Sequence, residues 1–163
     1  SGAVAVVLTE AGFSDSEHRL LGGTACSAAK HHKICRWGPA RGLLGETTNI
    51  MDTDATQVLT HGVALGLDTW GKFLPTMGWK AGDVDRVVTH QVGAGHRREI
   101  LHGLGVDEAR DFSTFATLGN MGTVSVPITV ARAAEEGFIR AGDRVGLLGI
   151  GSGLNCLMLG VQW

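Results

Sequence analysis

The sequence predicts an α/β domain in which helices layer against a mixed, five-stranded sheet. Three observations predict it. Apolar runs of strand length recur along the 163 residues, at Gly2 to Leu8, Arg19 to Ala28, Val84 to Thr89, Arg144 to Ile150 and Asn155 to Val161. Between them lie stretches whose apolar residues repeat at helical spacing. The 25 glycines cluster at the junctions, in Gly22-Gly23, Gly119 to Gly122 and Gly149 to Gly153, as tight turns around a site require.

Gly2 to Leu8 is a continuous apolar run, bounded by Thr9-Glu10-Ala11-Gly12, and suits a strand covered on both faces. Arg19 to Ala28 is a second strand. Lys30 to Asn49 mixes basic residues, Trp37, Pro39 and glycines, and reads as an irregular loop or insertion at a ligand entrance. Asp52 or Asp54 caps a helix to about Leu74, with Val58, Leu59, Val63, Leu67, Trp70 and Leu74 on one face. Pro75 and Gly78 end it. After a turn at Lys80 to Asp83, the strand Val84 to Thr89 ends at His90. Gly93 or Ala94 opens a helix to about Leu104, stopped by Gly105. Thr123 to Glu136 is a further helix, with Pro127 in its first turns, where a missing N–H costs least. Arg144 to Ile150 and Asn155 to Val161, joined by Gly151-Ser152-Gly153, read as an antiparallel pair closing the sheet.

Bulk composition narrows the function. Hydrophobic residues make up 44% and charged residues 18%, a globular balance. A net charge of −2 provides no global basic field for nucleic acid. No run approaches the roughly 20 apolar residues of a membrane span. Cys26, Cys35 and Cys156 are odd in number and lack CxxC spacing, which argues against a disulfide framework or a metal site and fits a cytoplasmic protein. The first residues already belong to a strand-like run, without Met or leader, so a fragment or a processed chain is expected.

Three features fall at element ends, where α/β folds place their sites. His90 directly follows a strand, and its imidazole can donate a hydrogen bond or move a proton near neutral pH. A satisfied core histidine is the plainer alternative. Asn120, flanked by Gly119 and Gly122, can bring its amide close to a ligand; paired with a histidine N–H it would make a two-donor cradle for an oxyanion. It is equally a preferred helix cap. Gly151-Ser152-Gly153 can present a backbone N–H to a carbonyl oxygen, or be an ordinary hairpin turn; Ser152 lacks the elbow of a hydrolase nucleophile. His31-His32, His61, His96 and His102 rank lower and form no metal-site motif. Cys26 and Cys156 read as buried and inert, and Cys35 as the one cysteine in a reactive setting.

Taken together, Thr89-His90-Gln91-Val92, then Gly119-Asn120-Met121-Gly122-Thr123-Val124-Ser125-Val126-Pro127, then Leu148-Gly149-Ile150-Gly151-Ser152-Gly153-Leu154-Asn155-Cys156, resemble the C-terminal half of β-ketoacyl-ACP synthase III enzymes. The last of these segments looks closer still to the OleA-type synthases, which join two fatty acyl-CoA molecules in a Claisen condensation. The resemblance covers essentially the whole chain and is strongest from Asp83 to Trp163.

The resemblance implies a thiolase-like fold, with residues 1–163 as its C-terminal half. It implies an acyltransferase with a Cys-His-Asn site: His90 and Asn120 match the family's catalytic pair, and Ser152 the backbone N–H of an oxyanion hole. Gly93, Gly119, Gly122, Gly151 and Gly153 then fall at substrate-binding positions. The nucleophilic cysteine, and the glutamate base of OleA-type enzymes, belong to an N-terminal half that this chain lacks. Acyl-CoA or acyl-ACP thioesters are implied as substrates, with coenzyme A thioester as substrate and no cofactor, and a dimer of complete units as the assembly. One departure stands out: synthase III enzymes commonly read His-Gln-Ala-Asn, and Gly93 replaces that Asn, which leans away from the ACP-dependent fatty acid enzymes. The alternatives are a decarboxylative synthase III and a non-catalytic partner subunit. A half-thiolase alone is expected to be insoluble or tightly paired, because large apolar interfaces rarely stay exposed.

Overall fold

The computed structural model describes residues 2–10, 12–13, 15–41 and 45–163. Its elements are β1 (Arg19–Ser27), β2 (Cys35–Arg41), β3 (Thr47–Thr53), α1 (Ala55–Met77), β4 (Arg86–Thr89), α2 (Ala94–Leu104), α3 (Phe115–Leu118), α4 (Ser125–Glu135), β5 (Arg144–Gly151) and β6 (Asn155–Gln162). The main sheet runs β1-β6-β5-β4. β6 is antiparallel to both its neighbours, and β4 is parallel to β5. A parallel pair needs a long crossover, and residues 90–143 supply it through α2, α3 and α4.

Burial alternates along the central strands. Val87 and Leu148 pack into a large core with Leu65, Trp70, Phe73, Ile100, Leu101, Cys156 and Met158, on the side where α1 packs against β1, β6 and α2. Val88 and Val145 face the other way, into a smaller core with Val130, Ala133 and Ile139 under α4. Covering both faces explains why β4 and β5 read as unbroken apolar runs. Within the sheet α4 packs mainly on β4 and β5. On the open part of the sheet Leu20 is 50% and Leu157 48% exposed.

Helix ends follow their local chemistry. Asp54 caps α1, its carboxylate accepting from Gln57 N at 3.0 Å. α1 does not stop at Leu74 as expected but runs through Pro75 to Met77. A proline in the last turn forfeits a single hydrogen bond, which the packed helix tolerates, and Gly78 in the left-handed conformation closes it. The segment expected as a helix from Thr123 opens with a 3-10 turn at Gly122–Val124, and α4 begins at Ser125. Pro127 is therefore its third residue, where no helical N–H is needed.

Two strand expectations change. Gly2 to Leu8 forms no strand: it is exposed throughout, with Val6 at 69%, Val7 at 82% and Leu8 at 74%, so the sheet has four strands rather than five. An apolar run becomes a strand only when a neighbour takes its N–H and C=O groups, and no described strand lies beside it. Only its start is seated, with Gly2 against Val124 and Met121 of the turn before α4. The stretch Lys30 to Asn49, expected to be irregular, contains β2 and the first residues of β3, paired antiparallel from Cys35↔Thr53 to Arg41↔Thr47. This ribbon stands apart from the main sheet, so it buries no face and leaves no alternation to read. Residues 42–44 of that stretch lie outside the described residues.

Candidate active site

Parallel pairing brings two of the candidate features to one edge. β4 ends at Thr89 opposite Leu148, and His90 extends the ladder by donating its N–H to Leu148 O at 2.8 Å. β5 then runs on to Gly151, so His90 and the Gly151-Ser152-Gly153 turn both lie at the carboxyl ends of adjacent parallel strands. α4 is the last helix of the crossover between these strands and packs on both. A crossover helix runs opposite to the strands it joins, which puts Asn120, just before α4, at the same edge.

A network that sequence spacing does not reveal holds the backbone at His90. Asp111, 5% exposed, accepts from Thr89 N at 3.1 Å. Arg97 of α2 donates to the same carboxylate through Nε at 2.5 Å, and its Nη1 reaches Glu108 at 3.0 Å. Buried Gln91 donates from Nε2 to Thr89 O at 2.6 Å and accepts from Ser113 Oγ at 2.7 Å. Arg97 and Asp111 belong to a helix and a loop that meet only in the fold. Gln91 stands next to His90 in the sequence, but its bracing role depends on Ser113, which only the fold brings to it.

The His90 ring is half-buried and makes no hydrogen bond among the described residues. Burial pushes its pKa down, so the neutral imidazole is the resting form. The ring lines a cavity with Thr89, His96, Ile100, Leu148, Gly149 and Ile150. His96, ranked low from sequence, is buried there at 8% exposure. Burial and then the neighbouring His90 lower its pKa as well.

Asn120 is exposed. Its Oδ1 accepts from Gly122 N at 2.9 Å, which leaves the side-chain NH2 as the group's remaining donor. Gly119 and Gly122 on either side have φ of 65° and 62°, values that L side chains rarely adopt. Asn120 is not the helix cap, since Met121 holds the N-cap position of the 3-10 turn without a side-chain cap; the amide oxygen closes a local turn onto Gly122 instead, and its nitrogen stays available. Below it, Met121 N donates to buried Ser125 Oγ at 2.9 Å, and Thr114 and Thr129 share a hydroxyl hydrogen bond of 2.7 Å.

Ser152 is exposed; its Oγ donates to Cys35 Sγ at 3.3 Å, and its carbonyl accepts from Asn155 Nδ2 at 2.9 Å. The contact ties the β5–β6 turn to the ribbon and accounts for Cys35 structurally. Gly93 is the N-cap of α2, with open space where a side chain would sit. Neither Asn120, Ser152, Gly93, Gly119, Gly122, Gly151 nor Gly153 lines the His90 cavity itself. Cys156 is buried, which pushes its thiol pKa up, whereas Cys26 is only partly buried and lies 3.8 Å from Lys72 Nζ. Among the remaining histidines, His31 and His61 stack at 3.7 Å, so His31 is not simply solvated.

Residues 74–163 match the family of the 3-oxoacyl-[acyl-carrier-protein (ACP)] synthase III C terminal. Over 100% of its length the chain is 46% identical to an acyl-CoA:acyl-CoA alkyltransferase of Shewanella oneidensis, covering 48% of that protein. A protein of the same name from Xanthomonas campestris is 35% identical over 99% of this chain and 45% of its own. Among solved structures, Xanthomonas campestris OleA with bound lauric acid and lauroyl-CoA superposes with a TM-score of 0.78 at 37% identity, over 90% of this chain and 41% of that one. The chain spans about half the length of the curated relatives it matches. With this edge geometry, full-length similarity and the thiolase-like fold of OleA, the chain belongs to the 3-oxoacyl-ACP synthase III C-terminal family.

Proposed function

We propose that this chain is the C-terminal half of an acyl-CoA:acyl-CoA condensing enzyme and supplies the donors that polarise the second substrate. The observation that carries the reading is the 46% identity, along the whole chain, to an acyl-CoA:acyl-CoA alkyltransferase. The His90 imidazole, its pKa lowered by burial and its ring without a hydrogen-bond partner among the described residues, supports it at the end of β4.

In this reading a complementary half supplies a cysteine that carries the first acyl group as a thioester. The second acyl-CoA places its thioester carbonyl where the His90 N–H and the Asn120 amide converge. A base in the complementary half removes the α-proton. The electron pair moves onto the carbonyl oxygen, where two neutral donors stabilise the enolate, each worth roughly 10²–10³ in rate. The enolate carbon then attacks the acyl-cysteine carbonyl. A C–C bond forms, the C–S bond breaks, and the thiolate returns to the cysteine. The Ser152 backbone N–H serves the oxyanion of that second step, and Gly93, Gly119, Gly122, Gly151 and Gly153 keep the backbone close to substrate. One coenzyme A leaves as its thiol when the first acyl group moves to the cysteine, the other stays on the β-ketoacyl product, and no further cofactor takes part.

The exposed run Gly2 to Leu8 and the open sheet face at Leu20 and Leu157 are the surfaces on which the complementary half packs, within a dimer of complete units. No described helix is long and apolar enough to cross a membrane. The enzyme works in the cytoplasm, where its thioesters are found.

The test uses the complete enzyme, this chain with its complementary half. His90→Ala and Asn120→Ala should each lower condensation of acyl-CoA by about 10²–10³. Activity of both variants within a few-fold of wild type would refute the assignment. Acyl-CoA alone should suffice as substrate; an absolute need for a malonyl thioester would favour the decarboxylative reaction instead.

A further inference from the structure

Two buried polar atoms beside His90 have no hydrogen-bond partner among the described residues: Thr89 Oγ1 and His96 Nε2. Thr89 is 3% and His96 8% exposed. Both line the cavity that His90 lines, whose other walls include Ile100, Leu148, Ile150 and Met158. An unmet buried donor or acceptor costs about 1–3 kcal/mol, so two of them in one small, mainly apolar cavity mark a place built for a polar guest. The room is made by α1. Gly62 has no side chain, and a Cβ there would sit 3.4 Å from His96 Nε2 and 3.2 Å from Ile150 Cδ1. The cavity has room for the centre of a water molecule, and a water needs two or more polar partners to stay.

Taking His90 as the polarising donor, we propose that His96 is a positioning residue: with Thr89 Oγ1 it holds a buried water that hydrogen-bonds to the His90 ring and selects its tautomer. A neutral imidazole has one donor and one acceptor nitrogen. For His90 to offer an N–H to the substrate oxygen, its other nitrogen must be the acceptor, and once substrate covers the half-buried ring that acceptor requires a donor. Nothing in the described protein donates to it directly. The water supplies that hydrogen, and His96 Nε2 and Thr89 Oγ1 fix the water. Burial keeps both imidazoles neutral, so the relay works without a charge beside the developing enolate.

The experiment compares the complete wild-type enzyme with His96→Leu, His96→Gln and Thr89→Val. Ring 15N chemical shifts of histidine-labelled protein report the His90 tautomer, and steady-state condensation is measured in parallel. The wild type should show a single neutral tautomer, and His96→Leu and Thr89→Val a mixture. In His96→Leu kcat should fall by about 10- to 100-fold, with KM within about 2-fold because ground-state binding is untouched. His96→Gln, which keeps a hydrogen-bonding group at similar reach, should restore both the tautomer and most of kcat. An unchanged His90 tautomer in His96→Leu overturns the proposal. So does a loss of kcat that tracks a fall in unfolding midpoint and is not rescued by Gln. Should the wild type fail to condense acyl thioesters, the functional reading falls, and the tautomer still decides the role of His96.

Discussion

Replacing Arg97 with methionine in the complete enzyme is expected to lower its stability by about 3 kcal/mol at neutral pH. Arg97 donates Nε to Asp111 Oδ2 at 2.5 Å and Nη2 to Asp111 O at 3.2 Å. The Asp111 side chain is completely buried, whereas 24% of the Arg97 side chain meets solvent. Breaking a buried pair typically costs about 3–5 kcal/mol, chiefly because the surviving charge is left unpaired; the partial exposure of Arg97 sets the expectation at the lower end. pH provides a second readout. Burial already pushes the Asp111 carboxyl above its ordinary value of 3.8, against the opposing pull of Arg97 and Thr89. Without Arg97 it rises further. A carboxyl whose folded pKa exceeds its unfolded one weakens the fold when ionised in both states, and this penalty fades as pH falls through the folded pKa toward 3.8. The deficit of the variant should therefore shrink on acidification. Adding Asp111→Asn to Arg97→Met removes the orphaned charge and should recover most of the loss at neutral pH. Urea denaturation at several pH values measures all three quantities. A deficit below about 1 kcal/mol, a deficit independent of pH, or no recovery in the double variant would each refute this account of the pair.

Other consequences of the structure are equally open to measurement. Gly23→Ala in β1 would place a Cβ 2.5 Å from Met158 O and 2.6 Å from Leu159 Cδ2. Because the first of these is backbone in the paired strand β6, the variant should lose about 1–3 kcal/mol, read as a lowered unfolding midpoint. His90 and His96 both have pKa values lowered by burial, so the stability they contribute is full above their ordinary 6.5 and is lost as pH falls through the depressed values. The Asp111 carboxyl, raised by burial, contributes with the opposite slope. His96→Gln should therefore flatten the acid-side decline of the urea midpoint; an unchanged slope would show that His96 does not titrate in a buried site.

Much of the fold and part of the site were legible in residue order. β4, β5 and β6 read as strands because both faces of β4 and β5 are covered, which leaves continuous apolar runs. α1 and α2 carried their own limits, in the Asp54 cap, Gly78 and Gly105, because helix ends are decided by neighbours a few residues away. The β2–β3 ribbon was not legible, since a ribbon that buries neither face carries no alternation. The short helix α3 was missed too: four residues are too few for a helical period to show.

The sequence by itself determined which residues stand at element ends. His90 follows a strand, Asn120 sits between glycines, and Ser152 lies in a glycine turn, each placed by local backbone chemistry. Only the tertiary structure decided what surrounds them. Parallel pairing of β4 with β5 gathers their carboxyl ends, and the crossover brings α4 to the same edge. Asp111 and Arg97, 14 residues apart, close around the Thr89 backbone, and His96 enters the notch at Gly62 to share the cavity of His90. Such contacts depend on which elements pack together, and that is set by the burial of whole faces rather than by the spacing of any motif. For the same reason Gly2 to Leu8 reads as a strand yet pairs with none: a strand is completed by its neighbour, and no described strand lies beside it.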